Sequence, residues 1–205
     1  MNKNGVNNLR ALAMSAVLSA LSFVLMLLDF PMPFIIPNFI KFDFSELPAL
    51  IGAFAFGPLW GVLICLIKNL LHLFVTTTAG VGELSNFLLG AVFTGVCGIV
   101  YRYHKTRKGA FLSALIGAIA MAVVSIPINY FVVYPFYVKF YGMPMEAIIG
   151  MYKAILPAAD TLLKDLLIFN LPFNIVKGLA DTAICFMVYK RISPILKYGK
   201  MSKPS

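Results

Sequence analysis

The chain has 205 residues, of which 60% are hydrophobic and 12% charged, and its mean hydropathy is +0.89. A soluble domain is nearer half apolar and a quarter charged, so there is too little charge here to cover a water-facing surface, and the apolar stretches read as membrane spans. The net charge of +9 does not point to nucleic acid, because the basic residues fall between apolar runs and form neither a basic face nor an aromatic-interleaved motif.

The first run, about 9–28, follows Lys3 and Arg10 and ends at Asp29-Phe30-Pro31 without a small-residue cleavage site, so it reads as an uncleaved span. Pro31, Pro33 and Pro37 then forbid a helix over 29–43, but Phe34, Ile35, Ile36, Phe39, Ile40 and Phe42 are too apolar for a solvated linker. An ordered external loop folded back on the protein is expected. Span two, about 45–56, has Ser45 as its expected N-cap and covers only ~18 Å of a ~30 Å core. Gly57-Pro58 turns the chain into span three, about 59–75, and a Gly/Thr turn leads to span four, about 83–100.

The most basic run, Arg102 to Lys108, separates span four from span five, about 110–134, where Pro127 predicts a kink. Residues 135–169 read as a long loop with an amphipathic stretch at the membrane surface. Span six, about 172–189, precedes a basic tail. The expected class is an all-α integral membrane protein of six spans in a single domain, 1–205. Lys3, Arg10, Arg102, Lys105, Arg107, Lys108, Lys190, Arg191, Lys197, Lys200 and Lys203 fall on one side and almost all the acids on the other. The positive-inside rule then puts both termini in the cytoplasm.

Polar side chains inside spans need a cavity or a partner. They are Lys68, Asn69, His72, Asn86, Asn129, Asn174, Lys177 and Asp181. Under this topology most lie toward the outer ends of their spans, which describes a pocket open to the exterior and not a conduit. Asn174, Lys177 and Asp181 share one helical face. Lys177 could pair with Asp181 at i,i+4 or contact a ligand. Asn129 and Asn174 could form interhelical hydrogen bonds or bind ligand. Lys68 and His72 read as structural or interfacial, and Glu83 as a helix N-terminal cap or a ligand contact. Cys65, Cys97 and Cys185 read as buried apolar residues. There is no nucleotide-binding GxxxxGK[ST] loop, HExxH, GxSxG or CxxC, so neither ATP hydrolysis nor other enzyme chemistry is indicated, and no cofactor or metal site is expected.

The run Asn38-Phe39-Ile40-Lys41-Phe42-Asp43-Phe44-Ser45-Glu46-Leu47-Pro48-Ala49-Leu50-Ile51, followed by Phe56-Gly57-Pro58 and Gly61, resembles the substrate-binding S components of energy-coupling factor (ECF) vitamin transporters, most closely the riboflavin type. Gly82 to Phe87 and the small-residue motif at Ala16 and Ala20 fit the same family. The resemblance implies the S-component fold and capture of riboflavin outside the cell. It implies docking on a transmembrane coupling protein with two ATPases, with Ala16 and Ala20 at that contact. Riboflavin would need apolar side chains such as Ile40, Phe42 or Leu47 on its ring faces and Asn129, Asn174 and Lys177 at its polar ring edge. Glu83 or Asn86 would meet its ribityl hydroxyls. Other vitamins (thiamine, pantothenate) and a small membrane enzyme or channel are the competing readings.

Overall fold

The computed structural model describes residues 3–197, with side chains over 8–188. The basic residues Lys200 and Lys203 lie outside the described residues. Helix α1, Lys3–Leu27, leads into a short antiparallel pair, β1 (Phe30–Pro31) and β2 (Lys41–Phe42), with Phe30 opposite Phe42. The loop between these strands buries Ile36 completely and Phe42 to 5% exposure.

Helix α2, Glu46–Phe56, is short and buries its first eight residues. Ser45 does not cap it as expected. Its backbone is already helical, and its backbone N–H donates to Asp43 Oδ1 at 2.8 Å. Its hydroxyl instead accepts from Lys68, and its carbonyl accepts from Ser22 at 2.6 Å, so the residue joins α1, α2 and α3. Gly57, at φ +116°, makes the turn that lets α3 (Pro58–His72) start at its proline. A 3-10 turn at Leu73–Val75 and the Thr/Gly turn precede α4, Val81–Tyr103. Thr106 caps the next helix by accepting from Gly109 N–H at 2.9 Å.

That fifth helix, α5, runs over Arg107–Tyr141, beyond the expected end at 134. Pro127 lies inside it, and Pro135 follows one turn of irregular helix later. Pro135 lacks an N–H and displaces the carbonyl four residues back, at Phe131, which lies within a π turn at Asn129–Val133, and a second π turn follows at Tyr137–Tyr141. Gly142 in the left-handed region ends the helix. Helix α6, Met145–Ile155, follows, and it packs on the protein through fully buried Ile148 and Tyr152. The last helix, α7, opens at Leu162, passes through a π turn at Leu166–Asn170 and continues as Leu171–Lys197. Pro172 thus lies inside α7 and does not begin it. A π turn next to a proline lets the helix continue past the point where the sequence suggests an end.

Among the described residues, five helices are long and apolar enough to cross a membrane, and α2 is a shorter sixth apolar helix. The core divides into two clusters. One joins Leu50, Ile64, Phe93, Cys97, Ala114, Ala118 and Cys185 in the body of the bundle. The other gathers Ile36, Phe42, Tyr134, Tyr137, Tyr152 and Phe173 at the end that carries the β pair and α6. Cys65, Cys97 and Cys185 are all free and buried.

Helices α4 and α5 approach closely because Gly117 has no side chain: a Cβ there would collide with Cys97 Sγ and lie 3.0 Å from the Phe93 carbonyl oxygen. Gly117→Val should lower the thermal unfolding midpoint of the detergent-solubilised protein by several degrees, from an overpacking cost of about 1–3 kcal/mol. A wild-type midpoint would contradict this account of the contact.

Candidate functional site

The helices gather their polar residues at one end of the bundle. α4 contributes residues from its first half, Gly82 to Gly90, and α3 contributes His72 from its last turn. α5 contributes Met121, Asn129, Val133, Tyr134 and Tyr137, while α7 contributes Asn170, Phe173, Asn174 and Lys177. The loop between α1 and α2 closes one side with Asp29, Phe39, Ile40, Lys41 and Asp43. Together they enclose about 990 Å³ of space, counting the open mouth.

Three buried ionic groups, Asp43, Glu46 and Lys177, line the cavity, and a fourth, Lys68, stands behind them. Lys177 Nζ donates to Asp43 Oδ2 at 2.8 Å and is ion-paired with Glu46 Oε2 at 3.0 Å. Lys68 Nζ donates to Glu46 Oε1 at 2.7 Å and to the Ser45 hydroxyl. All four charged residues are at most 7% exposed. Burial pushes the Asp43 carboxyl up, but Lys177 and Lys68 outweigh it and bring it down to about 2. Because that value is lowered, the stabilisation is complete above the ordinary carboxylate range and is lost only as pH falls toward about 2. The i,i+4 pair between Lys177 and Asp181 does not form. Lys177 turns instead to Asp43 and Glu46, and Asp181 is fully buried one turn deeper with neither oxygen hydrogen-bonded.

The carboxamides are partly committed. Asn174 Nδ2 donates to the Asn170 carbonyl at 2.8 Å, which fixes the side chain against its own helix. Asn86 Oδ1 accepts from Asn69 at 3.2 Å, and Asn69 also donates to the Cys65 carbonyl. Asn129 stands in a π turn of α5 and is 4% exposed, with its side chain on the cavity. On the far side Glu83 Oε1 meets His72 Nδ1 at 2.7 Å, and Glu83 Oε2 accepts from Thr76 at 3.0 Å and Thr78 at 3.2 Å.

Tyr134, Tyr152 and Asn170 close a ring of hydrogen bonds. The two phenols share one bond, Tyr152 donates to Asn170 Oδ1 at 2.7 Å, and Asn170 Nδ2 donates to Tyr134 at 3.2 Å. Phe39 packs against Tyr134, Tyr137 and Tyr152 with ring centroids 5.4–6.4 Å apart. These contacts join the first loop, α5, α6 and α7 into one aromatic wall.

Residues 10–191 match the family described as "ECF transporter, substrate-specific component". The chain belongs to that family. The substrate-specific component is 33% identical over 194 residues to "Riboflavin transporter RibU" of Staphylococcus aureus (strain TCH60), with 95% of each chain covered. It is 32% identical over 189 residues to "Riboflavin transporter FmnP" of Bacillus subtilis (strain 168), covering 90% of this chain and 93% of that one. It also superposes on a solved structure described as "Structure and mechanism of the S component of a bacterial ECF transporter". The TM-score is 0.72 at 32% identity, covering 93% of this chain and 99% of the other.

In this S component the cavity brings together Asn129, Asn174, Lys177, Glu83, Asn86 and Ile40 of the residues singled out from sequence. It does not include Phe42 or Leu47. Phe42 is buried between Phe30, Phe44 and Phe173, with ring centroids 5.2–5.9 Å away, because β2 alternates its side chains and turns Phe42 inward while Lys41 faces the rim. Leu47 packs in the bundle core from the first turn of α2. Ala16 and Ala20 are exposed on α1, whereas Ser15 and Ser19 on its other face are buried. Asp43, Glu46, Phe39, Tyr134, Tyr137 and Phe173 also line the cavity, beyond the residues expected from the sequence. The acids Asp43 and Glu46 could have been found as counter-charges for the two buried lysines.

Removing the Lys68 ammonium strands Glu46 Oε1 in a buried setting, which costs about 3–5 kcal/mol. Lys68→Met should therefore unfold well below wild type, and adding Glu46→Gln should restore part of the loss. A single variant as stable as wild type would show that the pair carries no such weight.

Proposed function

We propose that this chain captures riboflavin at the outer face of the cell membrane and serves as the substrate-specific subunit of an ECF-type ATP-driven vitamin transporter. The observation that carries the reading is that Asn129, Asn174 and Lys177, from two helices, line one cavity together with Phe39, Tyr134, Tyr137 and Phe173. A flavin has the matching chemistry: a flat, mostly apolar ring system with alternating donors and acceptors on one edge. An Asn amide offers both a donor and an acceptor. Asn129 and Asn174 read that edge. The ammonium of Lys177 has three donors and gives one to Asp43, so it can still donate to a ring carbonyl or ring nitrogen.

Ile40 and Phe39 cover the ring from the loop side, in the role the sequence suggested for Ile40, Phe42 and Leu47. Glu83 and Asn86 serve the ribityl hydroxyls. The relatives named as riboflavin transporters, at about a third identity over nearly the whole chain, support the same ligand.

With α2 counted as the sixth, incomplete span, both termini and the basic run from Arg102 to Lys108 face the cytoplasm, and the cavity opens outward. The family resemblance implies a partner module that supplies the energy, a transmembrane coupling protein with two ATPases, and the chain itself shows no nucleotide-binding motif. The exposed small residues Ala16 and Ala20 on α1 give that coupling protein a close approach.

Protein purified from a flavin-containing host should be yellow and flavin-fluorescent. Lys177→Ala and Asn174→Ala should each weaken riboflavin binding by about tenfold or more, the scale of a lost hydrogen bond to a charged or buried group. A colourless protein that takes up thiamine or pantothenate in a calorimetric titration would replace riboflavin with another vitamin. Undiminished colour in both variants would remove those residues from the site.

A further inference from the structure

The bundle end opposite the cavity carries a second hollow. Helix α2 starts in the cavity wall at Glu46, so its last turn lies at the far end. Helix α3 runs from there toward His72 at the cavity, and α4 runs away from the cavity to Tyr103. Between these ends, Phe54, Trp60, Tyr101, Arg102 and Lys105 help to line about 710 Å³ of space, counting the open mouth. The rings of Phe54 and Tyr101 lie 4.8 Å apart between centroids and form one apolar side. Trp60, the single tryptophan of the chain, is half-buried, whereas Leu59 beside it is 81% exposed.

The two cations of this hollow have no counter-charge. The chain has eight acidic residues, and none falls within 47–82 or 84–145, the stretches that build this end. Among the described residues neither Arg102 nor Lys105 forms an ion pair. The cavity lysines are matched, by contrast: Lys41 with Asp29, and Lys177 with Asp43 and Glu46. The α4 dipole gives Arg102 a structural reason, because the C-terminal end of a helix favours a cation. It gives none for Lys105, which lies beyond the helix end at Tyr103. Membrane topology accounts for basic residues in this turn. It does not account for a hollow with aromatic walls beside two of them.

We propose that this hollow binds the phosphate headgroup of an anionic phospholipid. Arg102 and Lys105 donate charge-assisted hydrogen bonds to the phosphodiester oxygens. Trp60 and Tyr101 lie at headgroup level, where amphipathic aromatic rings settle. Leu59 offers its exposed side chain to the acyl chains. Basic pockets between membrane helices are a recurrent seat for such headgroups. A soluble phosphate would find the same two cations but would leave the exposed apolar surface unused. The coupling protein is the less favoured occupant, because its proposed contact is on α1, which contributes nothing to the lining of this hollow.

Trp60 makes the site its own reporter. The full-length protein in detergent is titrated with phosphatidylglycerol or phosphatidylcholine, each brominated on the same acyl chains, and quenching of tryptophan fluorescence is followed. The anionic lipid should bind about tenfold more tightly, the scale that two cations near a headgroup supply. Arg102→Gln combined with Lys105→Gln should abolish that preference. Arg107→Gln combined with Lys108→Gln removes the same charge outside the hollow and should keep it. All four substituted residues are exposed, so both variants fold. Equal quenching by the two lipids in the wild type, or an equal loss of preference in both variants, would overturn the proposal. Displacement of the lipid by glycerol 3-phosphate at equal concentration would overturn it in favour of a soluble phosphate. An unchanged preference in the Arg102/Lys105 variant, with loss of copurification with the coupling protein, would overturn it in favour of that subunit.

Discussion

The ammonium of Lys177, held between Asp43 and Glu46, is the interaction on which the site depends. It joins residues 134 apart in sequence, at the end of the first loop and in the middle of the last helix. Isolated, each of these charges would be prohibitively costly to bury, and each is tolerable only because the others are in place. Lys68 completes the set from α3 by holding the other oxygen of Glu46. The first loop, α2, α3 and α7 are therefore fixed relative to one another by charge, and the cavity wall exists before any ligand arrives. Preorganisation of this kind lowers the ordering cost of binding.

The distribution of polar groups through the bundle separates a receptor from a conduit. At the cavity end, carboxamides, carboxylates and lysines turn toward shared space. Deeper in the helices, the buried hydroxyls of Thr94, Ser113, Ser125 and Thr182 bond to carbonyls of their own helices three or four residues back. Hydroxyls used in this way satisfy themselves locally and line no path. A protein with this asymmetry can hold a solute on one side, but moving it across requires motion supplied by another subunit. That requirement agrees with membership in a family of substrate-specific components.

Much of this was legible from residue chemistry alone. Asn129, Asn174 and Lys177 stood out because lipid tolerates such side chains only where they face something polar, and the structure puts all three on one cavity. Phe42 and Leu47 were assigned to the same cavity on apolarity alone. Apolarity cannot separate the ligand side of a loop from its core side, and the strand pairing with Phe30 turned Phe42 inward. The outer ends of α5 and α7 were hidden for a different reason. Pro135 and Pro172 read as helix boundaries, whereas π turns beside them keep the helices going and carry Asn129 and Asn170 to the cavity. The ring formed by Tyr134, Tyr152 and Asn170 is therefore not legible in the sequence, because the prolines divide its members among different segments.

The most direct test of this account is a double-mutant cycle on riboflavin affinity with Asp43→Asn, Lys177→Met and the two combined. If the pair builds the wall and the lysine also reaches the flavin, both single changes weaken binding, and the double variant is no worse than Lys177→Met alone. Strictly additive losses, or an Asp43→Asn protein that binds like wild type, would mean that the ion pair does not organise the site.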